Sequence, residues 1–138
     1  MKIIVIDGQG GRMGKTVIES LKKQNIGDEI VAVGINSAAT TAMLSAKADY
    51  GVTGENALLV NCRDADYIIG PIGILVADAL HGEISPAMAV AIGQSRAKKI
   101  LLPVSHCNTY VAGTQNLSLG EYINLAIEMI NHSDHTFL

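Results

Sequence analysis

A chain of 138 residues, 49% of them hydrophobic, is expected to fold as one domain over residues 1–138 with a core of its own. A net charge of −3 with no basic cluster excludes the electrostatic footprint of a nucleic-acid binder. Two cysteines exclude a disulfide framework, and no apolar run reaches the length of a membrane span.

The chain opens on a short apolar run, Ile3 to Ile6, that leads straight into glycines at 8, 10, 11 and 14. Strand, glycine turn and helix start in that order make a site for a phosphate-bearing ligand, because unpaired amides and the positive end of the helix dipole both favour an anion. Gly8, Gln9, Gly10, Gly11, Arg12, Met13, Gly14 and Lys15 are therefore the first binding candidates, with Arg12 and Lys15 supplying positive charge. Asp7 carries the one adverse charge and is expected to fix the loop by accepting amide hydrogens. The dinucleotide spacing G-x-G-x-x-G begins at Gly8 and Gly10 but meets Met13 at its third glycine, whereas Gly8, Gly11 and Gly14 fit G-x-x-G-x-x-G. Gly14-Lys15-Thr16 ends like a triphosphate P-loop whose first glycine is replaced by Gln9, so a divergent ATP or GTP site stays open, as does a purely structural turn.

Met13, Val17, Ile18 and Leu21 share one helical face, and the helix is expected to end near Asn25 to Gly27. Glu29 to Ile35 reads as a second strand, completing a right-handed parallel crossover. The ribose position of a dinucleotide fold, about 20 residues past the glycines, falls on Asn36 and Ser37. Neither is the acid expected for NAD nor the arginine expected for NADP, and both also suit a helix cap. Ala38 to Ala48 reads as a short helix, 49–54 as a loop, and Glu55 to Cys62 as helix. Ala65 to Pro71 reads as an acidic turn, a short apolar strand and a Gly-Pro exit, where Gly70 and Pro71 offer further binding candidates or simply a tight turn.

Ile74 to Leu80 reads as helix. Ser85-Pro86 is a strong helix start, and the apolar Ala87 to Arg96 that follows suggests an interface between subunits of a homo-oligomer. Ile100 to Val104 forms a fourth strand, with a short edge strand expected over Thr109 to Ala112. Ser118 and Glu121 form a capping box ahead of a clean helical stripe from Leu119 to Ile130, and the tail from Asn131 is expected to fray. His106 and Cys107, between Ser105 and Asn108 at a strand exit, are candidate catalytic residues, with an ordinary buried cysteine as the alternative. No pair of histidines or cysteines has the spacing of a zinc motif, so no metal is expected.

Gly8-Gln9-Gly10-Gly11-Arg12-Met13-Gly14 resembles the loop that opens dihydrodipicolinate reductases, and the resemblance implies NAD(P) as cofactor on a Rossmann domain. No counterpart of that family's histidine-rich substrate motif is present. The chain as a whole resembles a family of small bacterial proteins known only as a domain of unknown function, which implies no activity. The expectation is a three-layer, Rossmann-like α/β domain with a mostly parallel sheet of four or five strands, cytoplasmic, binding a nucleotide or another phosphate-bearing small molecule. Two readings stand beside it: a small-molecule enzyme using the strand-exit pocket near Ser105 to Asn108, and an assembly or regulatory module whose glycine loop is structural.

Overall fold

The computed structural model describes residues 1–104 and 108–132. Lys2–Asp7 (β1), Glu29–Gly34 (β2), Tyr50–Thr53 (β3), Tyr67–Pro71 (β4) and Lys98–Leu102 (β5) form one sheet of order β3-β2-β1-β4-β5, parallel at every pairing. Helices Arg12–Lys23 (α1), Ser37–Leu44 (α2), Glu55–Asn61 (α3) and Pro86–Gln94 (α4) fill the crossovers, and Leu119–Asn131 (α5) follows β5. The strand order is that of the Rossmann fold.

Side-chain alternation along β1 divides the core. Ile3 and Val5 face one layer with Val17, Ile18 and Leu21 of α1, Met43 of α2, and Ile123 and Ile127 of α5. Ile4 and Ile6 face the other with Leu58 of α3 and Met88 and Ile92 of α4. Both faces of the sheet are thus covered, which accounts for the unbroken apolar run at its centre. Local chemistry sets the helix starts: Ser85 Oγ accepts from Met88 N at 3.2 Å, and Ser118 and Glu121 close a reciprocal capping box.

Three expectations are corrected. The loop expected at 49–54 contains β3, which extends the sheet beside β2. The helix expected over Ile74 to Leu80 is a single 3-10 turn, Ile72–Leu75, followed by a tight strap. The edge strand expected over Thr109 to Ala112 does not form, leaving β5 as the outer strand. Helix α4 buries only Met88 and Ile92 and leaves Val90 exposed, so its apolar character exceeds what this chain covers. Among the described residues no helix is long and apolar enough to cross a membrane.

Candidate functional site

Strand order reverses between β1 and β4: the chain builds outward through β2 and β3 on one side and through β5 on the other. Ligands of open α/β sheets lie outside the carboxyl ends of the strands at such a point. Here it opens into a cleft of about 660 Å³ lined by Asp7 and Gly8 after β1, Gln9, Arg12 and Met13 of the glycine loop and α1, Pro71 at the end of β4, Leu80 and His81 of the strap, Val104 beyond β5, and Leu119 of α5. The volume is that of a small-molecule site.

The glycine loop is held from below by Asp7. Its Oδ1 accepts the Gly8 amide and its Oδ2 the Gly14 amide, each at 2.8 Å. Gly11 stands at the N-cap of α1 with no side chain to cap the helix, and Gly14 is the third helical residue. Asp7 therefore does from the strand what an N-cap side chain ordinarily does from the loop. The Gly11 amide is also taken, by the Gly8 carbonyl at 3.0 Å. Among the described residues, none accepts from the amides of Gln9, Gly10 or Arg12. The Arg12 side chain is exposed beside them.

Burial pushes the Asp7 carboxyl above its ordinary value, and the amides of Gly14, Gly8 and Met13 pull it only part of the way back. The native state therefore takes up this proton at a higher pH than the unfolded chain does. The stability it contributes is fully present below the ordinary carboxylate value and is lost as pH rises through the raised one. Relative to an Asp7→Asn variant, whose missing amide acceptor costs the same at every pH, the wild type is expected to lose unfolding free energy as pH rises above the ordinary carboxylate value. Urea denaturation at each pH measures this, and parallel profiles for the two proteins would show an unperturbed carboxyl.

The candidate binding residues separate into three groups. Gly8, Gln9, Arg12, Met13 and Pro71 line the cleft. Gly11 and Gly14 serve packing: a Cβ at Gly11 would stand 2.5 Å from the Ala39 carbonyl oxygen, and one at Gly14 would run into the Met43 sulfur. Gly10 is exposed in the loop, and Lys15 is half-buried on α1 without lining the cleft. Asn36, Ser37 and Gly70 also lie outside the lining. Asn36 caps α2 through its Oδ1, which accepts from Ala39 N at 2.9 Å, and Gly70 is packed against the Ile6 carbonyl.

Leu80 belongs to the cleft without having been singled out from the sequence, and His81, weighed there only as a metal ligand, stands beside it. Nothing marks a leucine as a cleft wall when its place depends on a turn of unusual backbone. Asp78, Leu80 and His81 all adopt left-handed φ angles, 67°, 56° and 57°. The strap they form closes on itself, with Asp78 N donating to the Ile84 carbonyl at 2.7 Å and Ile84 N to the Ala79 carbonyl at 3.1 Å.

The candidate catalytic residues His106 and Cys107 lie outside the described residues. The other cysteine, Cys62, is buried, and desolvation pushes its thiol up to about 11, which removes it as a nucleophile. Among the described residues no three His, Cys, Asp or Glu side chains are grouped to hold a metal ion.

A family model described as a domain of unknown function (DUF3842) matches residues 2–135. The match bears out the whole-chain resemblance and gives the loop's likeness to dihydrodipicolinate reductases no support. No curated protein matches the chain. Among solved structures, that of a dodecameric FMN-dependent UbiX-like decarboxylase from Escherichia coli O157:H7 is similar, with 20% identity over 95% of this chain and 76% of that one and a TM-score of 0.48.

Proposed function

Because the chain belongs to the family described as a domain of unknown function (DUF3842), which brings no activity with it, we propose its function from the cleft alone: it binds a nucleotide over the glycine loop, with NAD(P) among the ligands to test. One observation carries the reading. The glycine-rich turn between β1 and α1 opens into a ligand-sized cleft at the reversal of strand order. The phosphate group is bound by the Gln9 and Arg12 amides and the Arg12 guanidinium, since Asp7 already holds those of Gly8 and Gly14. Apolar walls from Pro71, Leu80, Val104 and Leu119 suit a flat ring.

A thermal-shift series with NAD, NADP, FMN, ATP, GTP and coenzyme A tests this. A ligand that binds only the folded state at about 100 times its Kd adds about 2.7 kcal/mol, a rise of several degrees in Tm. Absence of a rise with all six at millimolar concentration removes the proposal and leaves the structural-loop reading. Homo-oligomerisation through α4, with its exposed Val90, is part of the same proposal, and light scattering decides it.

A further inference from the structure

We infer that the nucleotide is a mononucleotide, because the strap from Val76 to Ile84 fills the ground that the second half of a dinucleotide needs; the inference rests on the nucleotide reading above. In a sheet of this order a dinucleotide crosses from the glycine loop to the carboxyl end of β2, where its ribose meets a side chain about 20 residues past the glycines. That crossing is occupied by the protein itself. A Cβ placed on Gly8 would stand 3.3 Å from Leu80 Cδ1 and 3.5 Å from Ile35 Cβ, so Leu80 and Ile35 close over the loop at the point of passage. At the ribose position the polar groups of Asn36 are both used: Oδ1 accepts from Ala39 N, and Nδ2 donates to Glu83 Oε2 at 3.1 Å.

The strap is built in place and is not a flap resting on the surface. Ala79 and Ile84 are buried in the core on the α3 and α4 side of the sheet. Backbone hydrogen bonds tie Gly82 N to the Asp78 carbonyl and Glu83 N to the Leu80 carbonyl, each at 3.1 Å. Three left-handed residues without glycine persist only where the surrounding contacts over-determine them. The space left, about 660 Å³ between Arg12 and the walls of Pro71, Val104 and Leu119, suits one nucleoside with its phosphate end at the loop.

Isothermal titration of the wild type with AMP, GMP and FMN on one side and NAD and NADP on the other tests the inference. The tightest mononucleotide is expected to bind at least about tenfold more tightly than either dinucleotide, a difference of about 1.4 kcal/mol. Leu80→Gly, which suits the left-handed backbone and opens the crossing, is expected to narrow that gap about tenfold. Circular dichroism controls its fold; if it does not fold, Glu83→Ala, which frees Asn36, makes the same comparison. NAD or NADP binding the wild type as tightly as the best mononucleotide overturns the inference and leaves the nucleotide reading standing. No binding by any of the five, together with no rise for ATP, GTP or coenzyme A in the thermal-shift series, overturns both.

Discussion

Gly11→Ala is expected to lower the unfolding free energy by about 3 kcal/mol, the sum of a left-handed backbone forced on an L side chain and overpacking against a backbone that cannot give way. Gly11 sits at φ 74°, and its added methyl would meet the Ala39 carbonyl oxygen at 2.5 Å, the Ala39 Cα at 2.8 Å and the carbonyl carbon at 3.0 Å. These are main-chain atoms of α2, so relief requires α1 and α2 to move apart. Gly10→Ala separates the two causes. Gly10 also has a left-handed φ, 94°, but nothing lies within 4 Å of its added Cβ. It is expected to lose only the backbone part, about 1–2 kcal/mol. Urea denaturation of the two variants measures the difference. Equal losses would mean that the approach of α1 to α2 is looser than the structure has it.

Arg12→Ala is expected to weaken the best nucleotide of the thermal-shift series by roughly 10- to 100-fold, the worth of a charge-assisted hydrogen bond to phosphate. Stability should change by no more than about 0.5 kcal/mol, because the side chain is exposed and has no hydrogen bond or ion pair among the described residues. Arg12→Lys should restore part of the affinity, since an ammonium keeps the charge and loses the planar fork. Titration calorimetry reads the two affinities and urea denaturation the stability. Unchanged affinity in Arg12→Ala would put the phosphate elsewhere in the cleft.

The elements that the sequence announced are those whose burial pattern is local. Alternation in β1, the helical face of α1 and the serine caps of α4 and α5 need no knowledge of the rest of the chain. β3 is different: four residues, half in solvent, with Gly51 at its second place because the Leu44 side chain lies where a Cβ would be. Only pairing with β2 makes it a strand, and that is a tertiary fact. The Ile72 to Leu80 run misleads for another reason. Its apolar residues suit a buried turn as well as a helix, and left-handed backbone at Asp78, Leu80 and His81 carries no compositional mark. The loop half of the site, Gly8 to Met13, was legible because amides that must approach a ligand or a neighbouring helix demand glycine. The opposite wall of Leu80, His81 and Leu119 was not, being assembled from ordinary residues by topology.

Strand β1 is the seam of the molecule. The strands before β4 pair on the β2 side of β1 and β5 pairs beyond β4, so within the sheet the two halves of the chain meet at this one strand. The cleft straddles that seam, with Gly8, Gln9 and Arg12 on the amino-terminal half and Pro71, Val104 and Leu119 on the carboxyl-terminal half. A molecule bound there, as proposed, would act as a clasp across the join. Its stabilising effect would then extend to residues of both halves and not be confined to the loop that it touches.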